Sequence, residues 1–300
     1  MAMSLDDDTR RSSADLGAAR SFVLSNARLL DRHRFAFRFD GGRAADVLGA
    51  LRPYQNADGG FGHALEPDLR GAESEPVPVE HALQILDEVG DFDAQIVHRS
   101  CDWLSTVTTG DGGVPFVLPA VVDAPHAPWW VPTGKASLNP TAGIAGLLHK
   151  HNGRHAWLPA ATTYCWDALS ESVGDLGPDD AISVLGFLEY APERERAMEA
   201  FERVAERILA DLVVLDPSAT GYVKTPLDFA PHPDRLAAGL FDETTIGLHL
   251  DALASAQQDD GGWPITWEPP SAAAVQEWRG FVTVACLDVL DNYGRLRRDG

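Results

Sequence analysis

One short turn occurs three times in this chain and constrains its fold more than any other feature. It reads QNADGGFG at residues 55–62, TTGDGGVP at 108–115 and QQDDGGWP at 257–264. Two glycines let the backbone leave a helix in conformations that other residues avoid. The Asp before them can accept hydrogen bonds from nearby amides, and the apolar residue after them can fill a gap beside the helix. We therefore interpret the turn as a structural connection between helical units.

The stretches between the turns have the spacing of helices. About eleven segments place apolar residues three and four positions apart, among them ADLGAARSFVLSNARLLDRH as one helix, and no segment is a confident strand. Some segments, such as TAGIAGLL, are apolar nearly all round, whereas ERERAMEAFERVAERILADL has a charged face. The helix pairs recur about every 45 to 55 residues. This predicts an all-α toroid of about five to six helix pairs, with an apolar inner ring and an amphipathic outer ring; an open stack is the alternative.

Composition and charge limit the binding partners and the cellular location that we expect for the chain. Residues 1–12 are polar and acidic and predict a disordered tail, which leaves residues 13–297 as a single toroid domain. The net charge of −21 opposes binding to nucleic acid, which needs clustered Lys and Arg. There is no apolar run long enough to span a membrane, and the three cysteines are dispersed, so we expect a cytoplasmic protein. The oligomeric state stays open.

The turns resemble those of a known family. ALRPYQNADGGFG and ALASAQQDDGGWP are similar to the QW-type repeat, Q-x-x-D-G-G-W, of squalene–hopene cyclases and other class II terpene cyclases; the middle copy has Thr in place of Gln. Protein prenyltransferase β subunits share the ring. The resemblance implies an (α/α) toroid in which the turn follows an outer helix. It also implies a small apolar or isoprenoid-like ligand in the central cavity and an acid-initiated cyclisation or isomerisation.

The resemblance also indicates where a proton donor would lie. The family carries D-x-D-D-T-A at the start of an inner helix, with aromatic rings around it that stabilise cations. GPDDAISVLGFL places Asp179 and Asp180 at such a helix start, and we expect Asp179 to give the proton. SLNPTAGIAGLL has Asn139 at an acid position. The alternative for the two aspartates is ordinary capping of the helix, because acids favour helix N-termini.

Two acidic loops follow the first and third turns. HALEPDLRGAESEPVPVEHALQIL contains Glu66 and Glu75 and leads to Glu80 and His81 at the start of an inner helix. A carboxyl beside an imidazole can do general acid–base chemistry, so Glu80 and His81 are candidate catalytic residues. The alternative is a solvated loop followed by a histidine that is hydrogen-bonded in the core.

The second acidic loop, EPPSAAAVQEWRG, repeats this arrangement near the C-terminus. Glu268 occupies the place of Glu66, each followed by Pro, and Glu277 and Trp278 lie at the start of the last inner helix. We expect the two loops to present these side chains to one mouth of the ring as ligand-binding residues.

Other features leave two more functions open. Trp129 and Trp130 lie in a Pro-rich loop, where they could line a ligand pocket or plug the end of the ring. No spacing predicts a metal site or a cofactor. A carbohydrate-active toroid would instead pair Glu66 or Glu80 with Glu268 or Glu277. A non-catalytic binding or scaffold protein on the same ring is the third possibility.

Overall fold

The structure, a computed structural model, describes residues 14–296, and the regular secondary structure of this part of the chain is helical. The described residues contain no β-strand, only three isolated bridges. The prediction of an all-α fold is therefore confirmed. The tail predicted at residues 1–12, and residues 13 and 297 of the predicted domain, lie outside the described residues. The α-helices are α1 (Leu16–Asn26), α2 (Leu29–Phe39), α3 (Ala44–Leu51), α4 (Pro76–Glu88), α5 (Ala94–Val107), α6 (Leu138–Lys150), α7 (Trp157–Ser172), α8 (Pro178–Tyr190), α9 (Arg194–Arg207), α10 (Pro226–Phe229), α11 (Glu243–Ser255) and α12 (Ala272–Asn292).

The contacts between helices return from the end of the described chain to its beginning. Helix α6 packs between α4 and α8, and α12 packs on α1 and α2. Helices α6 and α8 approach closely at Gly146, where a Cβ atom would lie 2.4 Å from the carbonyl oxygen of Gly186. Residues 140–146 of α6 are all buried, whereas α9 exposes most of its charged side chains. These contacts support the predicted inner and outer layers, and the closed toroid stays our interpretation of them.

The inner layer has one short segment among its long helices. Helices α2, α4, α6, α8 and α12 are long, but only α10, with four residues, lies between α8 and the helices α11 and α12. The C-terminal end of α12 reaches this segment, since the hydroxyl of Tyr293 donates to the carbonyl oxygen of Ala230 at 2.7 Å. Helix α10 therefore bridges α8 and the C-terminal end of α12.

The three repeated turns have one geometry. The first glycine of each pair has a positive φ, 102° at Gly59, 97° at Gly112 and 92° at Gly261. A Cβ atom on these glycines would lie 2.3, 2.7 and 2.2 Å from a carbonyl oxygen of an outer helix, at Arg99 in α5, Ala160 in α7 and Ala18 in α1. Only glycine fits such a position. The first two turns thus dock on the next outer helix, and the third joins the C-terminal part to α1.

The Gln of the turn binds the same neighbour. Gln257 accepts from the amide of Asp15 at 2.7 Å and donates to its carbonyl oxygen at 2.9 Å. Gln55 donates to the carbonyl oxygens of Gly59 at 2.9 Å and Ile96 at 3.3 Å. In the middle copy Thr108 stands at the Gln position, and its hydroxyl accepts from the indole nitrogen of Trp157 in α7 at 2.9 Å. Since these contacts repeat, the turn has the structural role that its sequence predicts.

The first predicted helix is wrong in one respect, because residues 14–33 form two helices rather than one. Helix α1 ends at Asn26, and Ala27 is extended with a ψ of 158°. Helix α12 presses on this point: a Cβ atom on Gly280 would lie 2.6 Å from the Cβ atom of Ala27. Tertiary packing therefore overrides the continuous helical pattern. The break turns α2 towards the interior and places Arg28 beside the first acidic loop.

In the part of the chain that the structure describes, every helix is too short or too polar to cross a membrane.

Candidate functional site

The first acidic loop is built around a buried glutamate. His63 and Ala64 have φ angles of 56° and 59°, a left-handed conformation that costs a non-glycine residue about 1–3 kcal/mol. The guanidinium of Arg28 donates to the carbonyl oxygens of Ala64 and Leu65, both at 3.0 Å. These contacts hold the strained backbone, and Glu66 follows with only 3% of its surface exposed.

Glu66 lies against His81 of α4. The Nδ1 atom of His81 is 3.2 Å from Oε2 of Glu66. Burial, with a contribution from Asp68, raises the pKa of Glu66 to about 8. Burial, with contributions from Arg28 and Arg34, lowers the pKa of His81 to about 4. Near neutral pH the carboxyl therefore keeps its proton and the imidazole is uncharged. The His81 side chain is still 18% exposed, so the pair lines a space that solvent reaches.

Aromatic rings continue from this pair along α12 and the loop before it. Phe281 stacks on His81 with the ring centroids 6.0 Å apart. Trp278 meets Phe281 edge to face at 5.5 Å, and Trp267 meets Trp278 in the same way at 5.0 Å. All three aromatic side chains are half-buried. They form a wall that could face an apolar ligand and stabilise a positive charge on it.

Asp68 joins the first loop to this wall. Its Oδ2 atom accepts from the indole nitrogen of Trp267 at 3.1 Å. Trp278 is near enough to lower the pKa of Asp68 as well, although its indole N–H is not aligned for a hydrogen bond. Burial outweighs both indoles, so the pKa of Asp68 is raised. We call this set the acid–aromatic cluster; it consists of Glu66, Asp68, His81, Trp267, Trp278 and Phe281.

Asp179 lies at the edge of the same region and is held by two groups from a distant loop. Lys224 Nζ is 2.8 Å from Oδ1 of Asp179, and the hydroxyl of Tyr222 donates to Oδ2 at 3.2 Å. The Tyr222 ring lies 5.8 Å from Trp267, which connects Asp179 to the acid–aromatic cluster. An aspartate in an ion pair has no proton to give. The role of Asp179 as a proton donor stays a prediction that these contacts do not favour.

Asp180 at the start of α8 lies near Asn139 at the start of α6. Oδ2 of Asp180 accepts from the backbone N–H of Gly177 at 3.3 Å, which closes a cap on this helix. Burial raises the pKa of Asp180, and hydrogen bonds from the backbone of Gly177 and Asn139 lower it in part. The contacts of Asp180 therefore agree with the capping alternative, and Asn139 contributes through its backbone.

Glu80 is buried one residue before His81. It is 6% exposed, and no hydrogen bond to its side chain is found within residues 14–296. Its carboxyl occupies space that Gly143 leaves open on α6, where a Cβ atom would lie 1.7 Å from Oε1. Burial raises the pKa of Glu80 to about 8, and the charge of Asp179 adds to this. Near neutral pH, Glu80 is therefore a second protonated carboxyl.

Glu75 and Glu277 have structural partners. Oε2 of Glu75 accepts from the amide of Leu118 at 2.7 Å, and burial raises the pKa of Glu75 to about 7. It lines a cavity of about 20 Å³, enough for a single water molecule, beneath the loops at residues 62–78 and 120–125. Both oxygens of Glu277 bind the guanidinium of Arg70. This ion pair ties the first acidic loop to α12.

Three predicted ligand-binding residues lie apart from the acid–aromatic cluster. Glu268 is exposed, so the match with Glu66 in sequence does not extend to burial. Trp129 is 44% exposed. Trp130 is buried and stacks on Phe116 with centroids 4.5 Å apart, in a small hydrophobic cluster beneath the loop. Because Trp130 packs in this cluster, its position favours a structural plug over the lining of a ligand pocket.

Several members of the site were missed in the sequence. Trp267 follows the third glycine pair by a few residues, and an aromatic residue in that acidic loop was the only available signal. Phe281 follows Trp278 on α12. This helix is apolar nearly all round, so its sequence does not show which of its sides faces the site. Tyr222 and Lys224 lie in a loop far from Asp179 in sequence. No local pattern could have predicted that contact.

A cluster of possible metal ligands lies on the outside of the molecule. His98 and Asp102 on α5 and His155 before α7 bring their ligand atoms within 4.8 Å of one another. The Nδ1 atom of His155 accepts from the backbone N–H of Trp157 at 3.1 Å. Its Nε2 atom therefore carries the proton and donates to Asp102, also at 3.1 Å. A metal at Nε2 would need the other tautomer, so this contact is better explained as a hydrogen bond.

Comparisons with known proteins leave the family open. No protein-family model matches the chain, and no curated protein matches it in sequence. The resemblance to terpene cyclases therefore rests on the three turns and the helical repeat. The arguments about chemistry rest on the geometry of the acid–aromatic cluster.

Proposed function

We propose that this protein binds a small isoprenoid-like ligand beside the aromatic wall and catalyses an acid-initiated cyclisation or isomerisation. The observation that supports it most is Glu66, a carboxyl that holds its proton near neutral pH beside a neutral imidazole. Glu66 replaces Asp179 as the proposed proton donor, since Asp179 is held in an ion pair with Lys224.

The proposed reaction begins with transfer of the Glu66 proton to a carbon–carbon double bond of the ligand. A new C–H bond forms, the O–H bond breaks and a carbocation remains on the ligand. The π face of Trp278, whose ring lies 5.5 Å from that of Phe281, stabilises this charge. Arg28, which lowers the pKa of Glu66, stabilises the carboxylate left behind.

The reaction ends with loss of a proton from a neighbouring carbon, which forms a new double bond. The Glu66 carboxylate can take this proton directly, or His81 can take it and pass it across the 3.2 Å separation. The protonated carboxyl is then restored, and the balance of protons requires no cofactor.

A carbohydrate-active enzyme is the second candidate, and a different pair of carboxyls favours it. Glu80 is protonated near neutral pH, and Asp179 lies near enough to raise its pKa while bound to Lys224. A protonated and an ionised carboxyl on either side of a bond is the arrangement of a glycosidase, at a separation of about 5 to 10 Å. Tyr222 and Trp267 would then serve as a platform for a sugar ring.

Product analysis after incubation with prenyl substrates of roughly ten to thirty carbons, and separately with a panel of aryl glycosides, tests these candidates. We expect conversion of a prenyl substrate that Glu66→Gln abolishes and Asp179→Asn leaves nearly unchanged. Glycoside cleavage that depends on Glu80 and Asp179 would support the second candidate. Binding of a ligand without turnover in the wild type would favour the non-catalytic protein. A cytoplasmic location stays part of this proposal and rests on the dispersed cysteines.

A further inference from the structure

Helices α7 and α9 line an open groove that shares no residue with the acid–aromatic cluster. Its volume is about 400 Å³, within the range of binding sites for small molecules. The lining side chains come from α7, from the start of α9 and from His149 near the end of α6. The groove is therefore a second candidate binding site, and its polar groups define its chemistry independently of the proposed function.

Two hydrogen-bond donors in the groove lack an acceptor. Trp166 is only 4% exposed, and its indole nitrogen has no hydrogen-bond partner, which is unfavourable for a buried N–H group. The guanidinium of Arg196 lies over the Trp166 ring, 4.5 Å from the ring centroid, and makes no ion pair or hydrogen bond within residues 14–296. Arg196 is exposed, so it can turn from the ring and share an acceptor with the indole N–H. A carboxylate, which accepts on two oxygens, would satisfy both donors.

The same groove presents acceptors that lack a donor. The carboxylates of Asp167 on α7 and Glu193 at the start of α9 line it, and neither forms an ion pair or hydrogen bond in the described part of the chain. The hydroxyl of Thr162 donates to the carbonyl oxygen of Leu158 at 2.8 Å, so it accepts from Nε2 of His149 at 2.9 Å. Burial lowers the pKa of His149, which leaves its Nδ1 atom as an acceptor. An ammonium group would supply the missing donors.

A ligand with a single charge satisfies only part of this groove. A simple anion would bind Arg196 but would be repelled by Asp167 and Glu193. A simple amine would be attracted to the two carboxylates but would leave the indole N–H of Trp166 without an acceptor. A ligand with both charges satisfies the donors and the acceptors together.

We propose that the groove binds a free α-amino acid with a large apolar side chain. The ligand carboxylate binds Arg196 and the indole N–H of Trp166, and the ligand ammonium group binds Asp167 and Glu193. The ligand side chain lies against the apolar residues at the start of α7, which complete the lining of the groove.

Three probes with the same phenyl group test this proposal. L-Phenylalanine carries both charges at about pH 7, phenethylamine lacks the carboxylate, and 3-phenylpropanoate lacks the ammonium group. We expect the wild type to bind phenylalanine at least about tenfold more tightly than either analogue in calorimetric titrations at low salt. If either analogue binds as tightly as phenylalanine, the groove recognises one charge only and the proposal is overturned.

Substitutions on α9 show whether the groove is the site. Arg196→Gln removes the charge that faces the ligand carboxylate, and we expect it to weaken the binding of phenylalanine at least about tenfold. The same variant should bind phenethylamine no more weakly than the wild type does. Arg203→Gln is the matched control, because it removes an equal charge from an exposed position on α9 outside the groove. It should bind phenylalanine within about twofold of the wild type.

Glu193→Gln tests the opposite end of the ligand. It should weaken the binding of both phenylalanine and phenethylamine and leave the binding of 3-phenylpropanoate unchanged or tighter. Thermal unfolding of all three variants checks that they are folded. If Arg196→Gln and Arg203→Gln have equal effects, or if the wild type binds none of the three probes, the proposal is overturned. The proposed role of Glu66 is unaffected by either result, because it is tested with prenyl substrates.

Discussion

The two acidic loops begin alike and end in different environments. Glu66 and Glu268 each follow a glycine turn and each precede a proline. Glu66 is 3% exposed and lies against His81, whereas Glu268 is exposed. The difference arises from residues far away in sequence: Arg28 binds the backbone before Glu66. A repeated turn thus fixes where a loop starts, and non-local contacts decide what the loop does.

The largest expected difference between Glu66 and Glu268 is the effect of their substitution on kcat. Because Glu66 is the proposed proton donor, we expect Glu66→Gln to lower kcat by about 10²- to 10⁴-fold with any prenyl substrate that is turned over. Glu268→Gln, the matched control, should retain the activity of the wild type. Single-turnover kinetics of both variants would check this. Equal loss in both variants would mean that the loops are equivalent after all.

The glycine pairs of the first and third turns should contribute equally to stability, although the loops that follow them differ. A Cβ atom on Gly59 or Gly261 would enter a neighbouring backbone, at 2.3 and 2.2 Å from a carbonyl oxygen. We expect Gly59→Ala and Gly261→Ala each to lower the free energy of unfolding by about 3 kcal/mol or more. Gly41 also has a positive φ but nothing within 4 Å, so Gly41→Ala should cost only about 1 kcal/mol. Chemical denaturation would measure all three, and a similar loss for Gly41→Ala would remove the role of close packing.

The pH dependence of stability should reveal the buried carboxyl of the first loop. The folded-state pKa of Glu66 is raised from 4.5 to about 8, so between these values the folded state binds a proton that the unfolded state has lost. Its contribution to stability is present below about pH 4.5 and is lost as the pH rises to about 8, by about 1.4 kcal/mol per pH unit. We expect Glu66→Gln to remove this slope from the unfolding free energy. An unaltered slope in Glu66→Gln would contradict the burial of a protonated carboxyl.

The smallest predicted effect concerns the backbone before Glu66. Ala64 has a φ of 59°, which glycine adopts without strain. We expect Ala64→Gly to change the unfolding free energy in the stabilising direction, by up to about 1 kcal/mol. A thermal unfolding curve of this variant measures it. Clear destabilisation would show that the left-handed conformation at this position is not strained.

The sequence predicted the features that depend on local pattern. The helical spacing of segments such as TAGIAGLL was enough for the fold class, and the glycine turns predicted their own structural role. Glu80, His81 and Glu66 were also named as candidates, since they lie on one loop and the helix that follows it. The break between α1 and α2 was missed because it is caused by the approach of Gly280.

The assignment of roles within the site could not be made from the sequence. GPDDA reads as a helix start in either function, and only the contact with Lys224 shows that Asp179 is held in an ion pair. The matching positions of Glu66 and Glu268 gave no sign of their different burial. Burial and charge pairing depend on which segments meet in the folded chain, and no local spacing encodes that.

The proton on Glu66 can be observed directly. Protein labelled with ¹³C at the glutamate carboxyl carbons would be titrated by NMR from about pH 4 to about pH 9, with the Glu66 signal identified by its absence from Glu66→Gln. A carboxyl that stores a proton at neutral pH should titrate with a midpoint near the pKa of about 8 given by its burial. A midpoint below about pH 6 would show that Glu66 is ionised at neutral pH and would contradict its role as the proton donor.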